Sequence, residues 1–268
     1  MLQRKIVFVA LSVALMIGST ASGWAQVYDA SDYLGRASEL YSLGYYREAQ
    51  AELAKAQSAA TGLRQVDEVV AEKVALLSAM CEAELGDGAA PLEAFVASHP
   101  LSPYLNEALV ALASEHYEWG RYEQAIASFE RVNLDGVSDE HIERLCFECG
   151  HAYYQAGRSA EAKEWLGRLS RPGDLYDHAR YLLGYMAYEE GHYALARDHF
   201  ASLAHNDDYR AIVPYYLLNV HHRLGNDDYV VRNAEGVLEG VVGIRRAEIL
   251  RVAAQSNFRA ENWQKASE

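Results

Sequence analysis

A unit that recurs about every 34 residues constrains this chain more than anything else in it. It consists of a Gly, an aromatic two positions on, an Ala three after that, and an aromatic or Leu a further four along. Clear copies are Gly44, Tyr46, Ala49, Leu53; Gly120, Tyr122, Ala125, Phe129; and Gly191, Tyr193, Ala196, Phe200. A fourth, Gly157, Ser159, Ala162, Leu166, keeps the spacing but has lost the aromatic. Weaker copies centre on Pro91 with Phe95, on Arg232 after Tyr229, and on Ala266 after Trp263. The anchor positions 49, 91, 125, 162, 196, 232 and 266 are separated by 42, 34, 37, 34, 36 and 34 residues. A period this steady implies units that bury their apolar faces against each other in a row, not around one common centre.

Twelve residues before the anchors stand Ala37, Ala79, Ala113, Gly150, Gly184 and Ala254, with Val220 the exception. Small side chains there let two helices approach closely. The apolar pattern of Leu109, Leu112, Ala113, His116 and Tyr117 has the helical period, and the following Gly ends the helix because a left-handed turn costs Gly little. A second helix begins near the aromatic and carries the Ala and the Phe or Leu inward. Each unit is then an antiparallel helical hairpin. Such a unit resembles the tetratricopeptide repeat, and the resemblance covers nearly all of residues 30 to 268. It implies an all-α, right-handed superhelical solenoid of about six repeats plus a partial seventh. The stretch Ser98, His99, Pro100, Leu101, Ser102, Pro103, followed by Asn106, Glu107, Ala108, is similar to the inter-repeat connection of bacterial cell-envelope members.

Ahead of the repeats, Arg4 and Lys5 precede an apolar run from Ile6 to Ile17, then small residues up to Ala25. A run of 12 is short of the roughly 20 residues that span a bilayer, which makes this a secretory signal peptide, residues 1–25, with Gln26 as the expected mature N-terminus. No Cys adjoins the cleavage point for lipid attachment. Losing Arg4 and Lys5 with the leader takes the formal charge from −14 to −16. A chain so acidic repels a phosphate backbone, so nucleic acid is not an expected partner. The expected location is periplasmic or outer-membrane-associated, with envelope proteins as neighbours.

Catalytic and metal chemistry find no foothold. Cys146 and Cys149 form a Cys-x-x-Cys, but Gly150 separates Cys149 from His151, so the haem-attachment spacing fails. Zinc would need further ligands, and Cys81 belongs to a unit two repeats away. Both thiols take the place that Leu109 and Leu112 hold in another unit, which makes them small buried hydrophobes. His221 and His222 are adjacent and point to different sides of a helix. Neither a nucleophile elbow nor a phosphate loop occurs. No catalytic residue and no cofactor is expected.

What remains is a surface. The first helix of each hairpin lines the inside of such a solenoid, and eight residues before the anchors stand Tyr41, Ala83, Tyr117, Tyr154, Tyr188, Leu224 and Phe258. Further back on that face lie Phe147, His151, Tyr181, Tyr185 and His221, so the wall is thickest in the fourth and fifth repeats. Tyr offers rigid contact area and a hydroxyl, which suits a peptide or protein partner held in a Tyr-rich concave groove. The same residues would equally serve packing between repeats. The alternative ligand is a carbohydrate, in the manner of the SusD-like nutrient-capture proteins, although those are longer and lipid-anchored through a Cys that is absent here. Finally, Trp263 and Ala266 open a second helix that the sequence does not complete by Glu268. The expectation is a chain that continues, or that self-associates through the apolar face of its last helix.

Overall fold

The computed structural model describes residues 29–61, 68–263 and 266. The signal-peptide reading falls on residues 1–25 and lies outside them. Thirteen α-helices and no strand occur among the described residues, so the all-α expectation is met. They pair as α1 (Ala30–Ser42) with α2 (Tyr46–Thr61), α3 (Glu68–Glu82) with α4 (Ala90–Ser98), α5 (Leu105–Glu118) with α6 (Tyr122–Phe129), and α7 (Asp139–Gln155) with α8 (Ser159–Leu166). Then come α9 (Asp174–Glu189) with α10 (Tyr193–Ala201), α11 (Val213–Arg223) with α12 (Asp227–Gly240), and α13 (Gly243–Arg259). Each second helix packs on the next first helix, and first helices touch one another along the series α5, α7, α9. The result is a helical solenoid.

One turn builds almost every hairpin. Gly44, Gly120, Gly157, Gly191 and Gly225 all have φ between 70° and 79°, the left-handed region that lacks a penalty only for Gly. The residue after the turn donates its N–H to the carbonyl five positions back: Tyr45 to Leu40, Arg121 to His116, Arg158 to Tyr153, His192 to Ala187 and Asn226 to His221, all at 2.8–2.9 Å. This closes the helix end and reverses the chain. In the seventh unit Glu261 takes the same place at φ 59°, and Asn262 N–H reaches Asn257 O at 2.8 Å. The second repeat departs: a single π-helical turn, Ala83–Asp87, replaces the tight closure, with Gly86 at φ 113° and Gly88 at φ 68°.

Counting five residues on from each turn Gly gives the buried anchor, and this corrects two of the expected positions. In the sixth repeat Gly225 leads to Val230, which is fully buried, while Arg232 is exposed. Tyr229, three before Arg232, imitates the aromatic-to-Ala spacing of the other repeats. In the second repeat Pro91 opens α4 half-buried, and Leu92 fills the interior beside Val96 and the expected Phe95.

Close approach of paired helices is as tight as the small-residue pattern implies. A Cβ added to Gly150 would lie 2.7 Å from Leu166 Cγ and 2.9 Å from the Leu166 backbone N. One added to Gly184 would lie 2.9 Å from Phe200 Cε1. Leu166 and Phe200 are the residues four beyond their anchors, so the missing side chain on one helix makes room for the large one on its mate. The core consequently runs as a strip from repeat to repeat: Leu53 with Val74 and Leu77, Leu92 with Leu109 and Leu112, Phe129 with Leu145 and Cys149, Phe200 with Val213 and Leu217. Burial at roughly 25 cal/mol per Å² supplies the stability of each junction. Cys81, Cys146 and Cys149 are buried free thiols in this strip, and burial raises the pKa of each, that of Cys81 to about 11. Inert packing is what that environment favours.

Candidate functional site

The face formed by the first helices carries the side chains singled out above. Residues 147, 151 and 154 recur at i, i+4 and i+7 on α7, as do 181, 185 and 188 on α9, so each triplet shares one face of its helix. Tyr41, Tyr117, Phe147, His151, Tyr154, Tyr181, Tyr185 and Tyr188 are all half-buried, whereas Phe258 on α13 is 60% exposed.

Ring contacts join these residues from the third repeat to the sixth. Tyr122 meets Tyr117 edge-on at 6.0 Å, and Tyr117 meets His151 at 5.6 Å. His151 stacks parallel to Phe147 at 5.9 Å, Phe147 leans on His178 at 5.7 Å, and His178 touches Tyr209 at 6.2 Å. Tyr209 stacks on Tyr181 at 5.5 Å, which meets Tyr216 at 6.2 Å. Tyr216 in turn receives Tyr185 at 5.9 Å and Tyr188 at 5.6 Å, and stacks on Phe200 at 4.9 Å. Contacts of this geometry each contribute about 0.5–1.5 kcal/mol beyond their buried area. The wall is therefore continuous and also structural: Tyr181 and Tyr188 pack between repeats, while among the described residues the Tyr154 ring meets only that of His151, at 6.3 Å.

A second regularity explains why. Tyr41 with Tyr46, Tyr117 with Tyr122, Tyr188 with Tyr193 and Phe258 with Trp263 are pairs five apart across the turn, with centroids 4.9–6.0 Å apart. Each first-helix aromatic is braced by the aromatic that opens the second helix. In the fourth repeat Ser159 stands at that opening, so Tyr154 lacks its brace.

Polar contacts between neighbouring first helices follow the same period. Lys73 pairs with Glu107 at 2.5 Å, Ser114 donates to Glu148 at 2.6 Å, the Tyr117 hydroxyl meets His151 Nδ1 at 2.8 Å, and His222 Nδ1 meets Ser256 Oγ at 3.0 Å, each across 34 residues. Glu148 is almost wholly buried yet satisfied, since Arg144 Nε binds it at 2.5 Å while the other arm of that guanidinium reaches Glu118 at 3.1 Å. Burial lowers the pKa of His151, with His178 adding repulsion, so the ring is neutral near pH 7 and serves the Tyr117 hydroxyl as a hydrogen-bond partner. Burial likewise raises Tyr117, Tyr154, Tyr185 and Tyr188, all of which stay neutral.

Tyr216 and Arg144 were missed in the sequence. Tyr216 lies outside the eight-before-anchor pattern, and Arg144 gains its second partner, Glu118, only from the neighbouring helix. The sixth position of the wall is corrected as well: counted from Val230 it is His222, not Leu224. His221 instead stacks on Tyr229 at 3.7 Å, so the two adjacent His do diverge. Among the described residues no group of three or more His, Cys, Asp or Glu is placed to hold a metal ion. Nor is any helix there long and apolar enough to cross a membrane.

The model of the tetratricopeptide repeat matches residues 107–133, the third hairpin. Among solved structures, a tetratricopeptide repeat protein from Parabacteroides merdae is similar over 88% of this chain and 89% of its own, at 12% identity and a TM-score of 0.50. No curated protein matches the sequence. The third hairpin is thus matched as a tetratricopeptide repeat, and the likeness to the solved protein is one of fold: the chain is a helical solenoid built from hairpins of that type.

Proposed function

We propose that the chain is an exported scaffold of the cell envelope that holds a peptide or protein partner along the concave face of its first helices. Repeats of this type generally mediate protein–protein interaction without catalysis, and the leader-like residues 1–25 and the Ser98–Pro103 connection support the location. The carrying observation is the ring wall of the fourth and fifth repeats, where Tyr154 and Tyr185 are half-buried members of a rigid aromatic surface. A sugar ring needs flat aromatic faces turned outward. Here Tyr181 is stacked against Tyr209 and Phe200 against Tyr216, which favours a peptide.

Tyr154→Ala and Tyr185→Ala test the reading. Each should weaken partner binding by on the order of 1–2 kcal/mol and leave helical circular dichroism unchanged. Unfolding of both variants, or undiminished binding, would sink the groove. Intact-mass analysis of the exported protein tests the location, with a chain starting at Gln26 expected. Self-association belongs to the same proposal: Ile244, Leu250, Phe258 and Trp263 expose apolar surface on and after α13, beside a shallow groove lined by Ala254, Gln255, Phe258, Arg259 and Ala266.

A further inference from the structure

The negative charge of the chain is unevenly distributed. Residues 29–136, the first three hairpins and the loop after them, hold 18 Asp and Glu against 7 Lys and Arg, a net −11, whereas residues 137–268 hold 20 against 15, a net −5. Within the second part α13 reverses the sign. Arg245, Arg246, Arg251 and Arg259 stand there against Glu248 alone, and Glu248 accepts the Tyr215 hydroxyl.

The acidic end also carries apolar surface at a repeated place. Directly before a turn Gly of each of the first three hairpins stands a large apolar residue that is exposed: Leu43 before Gly44 at 62%, Leu85 before Gly86 at 40%, and Trp119 before Gly120 at 60%. The turns of successive hairpins lie along one edge of a solenoid, so these side chains form a ridge. Ala156 and Glu190 hold that place in the next two hairpins, and the ridge ends with the acidic excess. Its flanks are anionic. Glu84 and Asp87 are exposed and form no ion pair among the described residues. Glu115 holds the Trp119 indole N–H at 2.6 Å, and the charges of Glu118 and Glu84 add to the rise that burial gives its pKa.

The exposed side of α13 matches this ridge in length and opposes it in charge. Ile244, Leu250 and Phe258 are exposed and share one side of the helix with Ala247 and Ala254. Ile244 and Phe258 are separated by about 21 Å of helix at 1.5 Å per residue. Two steps between adjacent helices, at about 8–10 Å each, give the ridge a length of about 16–20 Å. Arg245, Arg246 and Arg251 are exposed and form no ion pair among the described residues.

Deepening the self-association proposed above, we infer that α13 of one molecule lies along the ridge of Leu43, Leu85 and Trp119 on a second copy, with its Arg side chains against the carboxylates there. Two α13 helices facing each other would instead set Arg251 against its own counterpart, a like-charge contact. The two surfaces differ, so the contact is heterologous and leaves one ridge and one α13 free for further copies unless a ring closes.

Sedimentation velocity of the full chain over a range of concentrations tests this. Species should grow with concentration, and association should weaken roughly tenfold between about 0.05 and 0.5 M NaCl as the charges are screened. One variant removes the ridge, Leu85→Ser with Trp119→Ser, and another removes the helix face, Ile244→Ser with Leu250→Ser; all four positions are exposed. Each variant alone should be monomeric. Their equimolar mixture should form a heterodimer and nothing larger, because each supplies the surface that the other lacks. A ridge variant that associates as the wild type does would overturn the inference and leave self-association of α13 with α13 standing. Failure of the mixture to pair, or association indifferent to salt, would also overturn it. A wild-type chain that stays monomeric throughout would remove the self-association reading as well and leave the groove untouched.

Discussion

The fifth and sixth repeats form the same hairpin from different materials. In the fifth, Ala196 and Phe200 are the buried pair on the second helix, Gly184 makes room for the ring, and Tyr216 stacks upon it. In the sixth the pair is Val230 and Ala234, and the interior is completed by Leu218, Ile249 and Val252. The turn is nevertheless the same, Gly191 at φ 79° and Gly225 at φ 76° with matching hydrogen bonds. The backbone turn and the spacing define the repeat. The side chains that fill it are exchangeable as long as total volume is kept.

The sharpest way to break the comparison is to remove the large partner where it exists. Phe200 is fully buried, and Phe200→Ala should cost about 4 kcal/mol in urea unfolding, from lost transfer energy and a cavity that Gly184 cannot fill. Ala234→Gly, the matching position in the sixth repeat, should cost about 1 kcal/mol, the helix propensity of one methyl group. Equal losses would mean that the two interiors are not organised around corresponding positions.

This difference also explains what could be read in advance. The hairpins were legible because Gly44, Gly120, Gly157 and Gly191 meet a strict backbone requirement that few residues satisfy. The sixth anchor, Val230, is hidden because Tyr229 imitates the opening aromatic while the turn residue Gly225 carries the actual register, and an aromatic at that position is dispensable, as Ser159 shows. The wall was legible as a spacing on α7 and α9. Its wiring was not: the pairing of Arg144 with Glu118 and the bond between Tyr117 and His151 depend on how far side chains reach between neighbouring first helices. Tyr216 was hidden for a related reason, since its role comes from four neighbours on other helices.

Acid should separate the third and fifth repeats. His116 on α5 and His199 on α10 are both buried with an unpartnered Nδ1, but Glu93 lies 3.4 Å from His116 Nε2 and moderates its shift. His199 forms no ion pair among the described residues, and burial, aided by Arg180 and only partly opposed by Asp198, lowers its pKa from 6.5 to about 4. Unfolded, His199 takes up a proton near pH 6.5, while the folded form resists until about pH 4. The unfolded state therefore binds more protons across this window, and stability present above pH 6.5 is lost as pH falls toward 4. The loss should be about 2 kcal/mol for His199 after allowance for relaxation. His199→Gln should flatten the profile more than His116→Gln does. Parallel profiles for wild type and His199→Gln would show that burial of this imidazole carries no such linkage.

The smallest effect lies where the turn rule itself is violated. Glu261 stands at φ 59°, in the place that Gly225 holds one repeat earlier, and still supports the closing bond from Asn262 to Asn257. A side chain in the left-handed region costs about 1–2 kcal/mol, whereas Gly there loses about 0.4–1 kcal/mol through the extra freedom of the unfolded chain. Glu261→Gly should therefore stabilise by about 0.5 kcal/mol, and Gly225→Glu should destabilise by a similar or larger amount. Because the turn after α13 opens locally, global unfolding would dilute the signal. Amide exchange at Asn262 is the suitable measure, since its N–H is the donor that closes the turn. Slower exchange in Glu261→Gly, with the rest of α13 unchanged, is the expected result. Faster exchange would mean that the Glu261 side chain makes a local contact worth more than the strain of its backbone, and that the seventh turn is held by different forces from the other five.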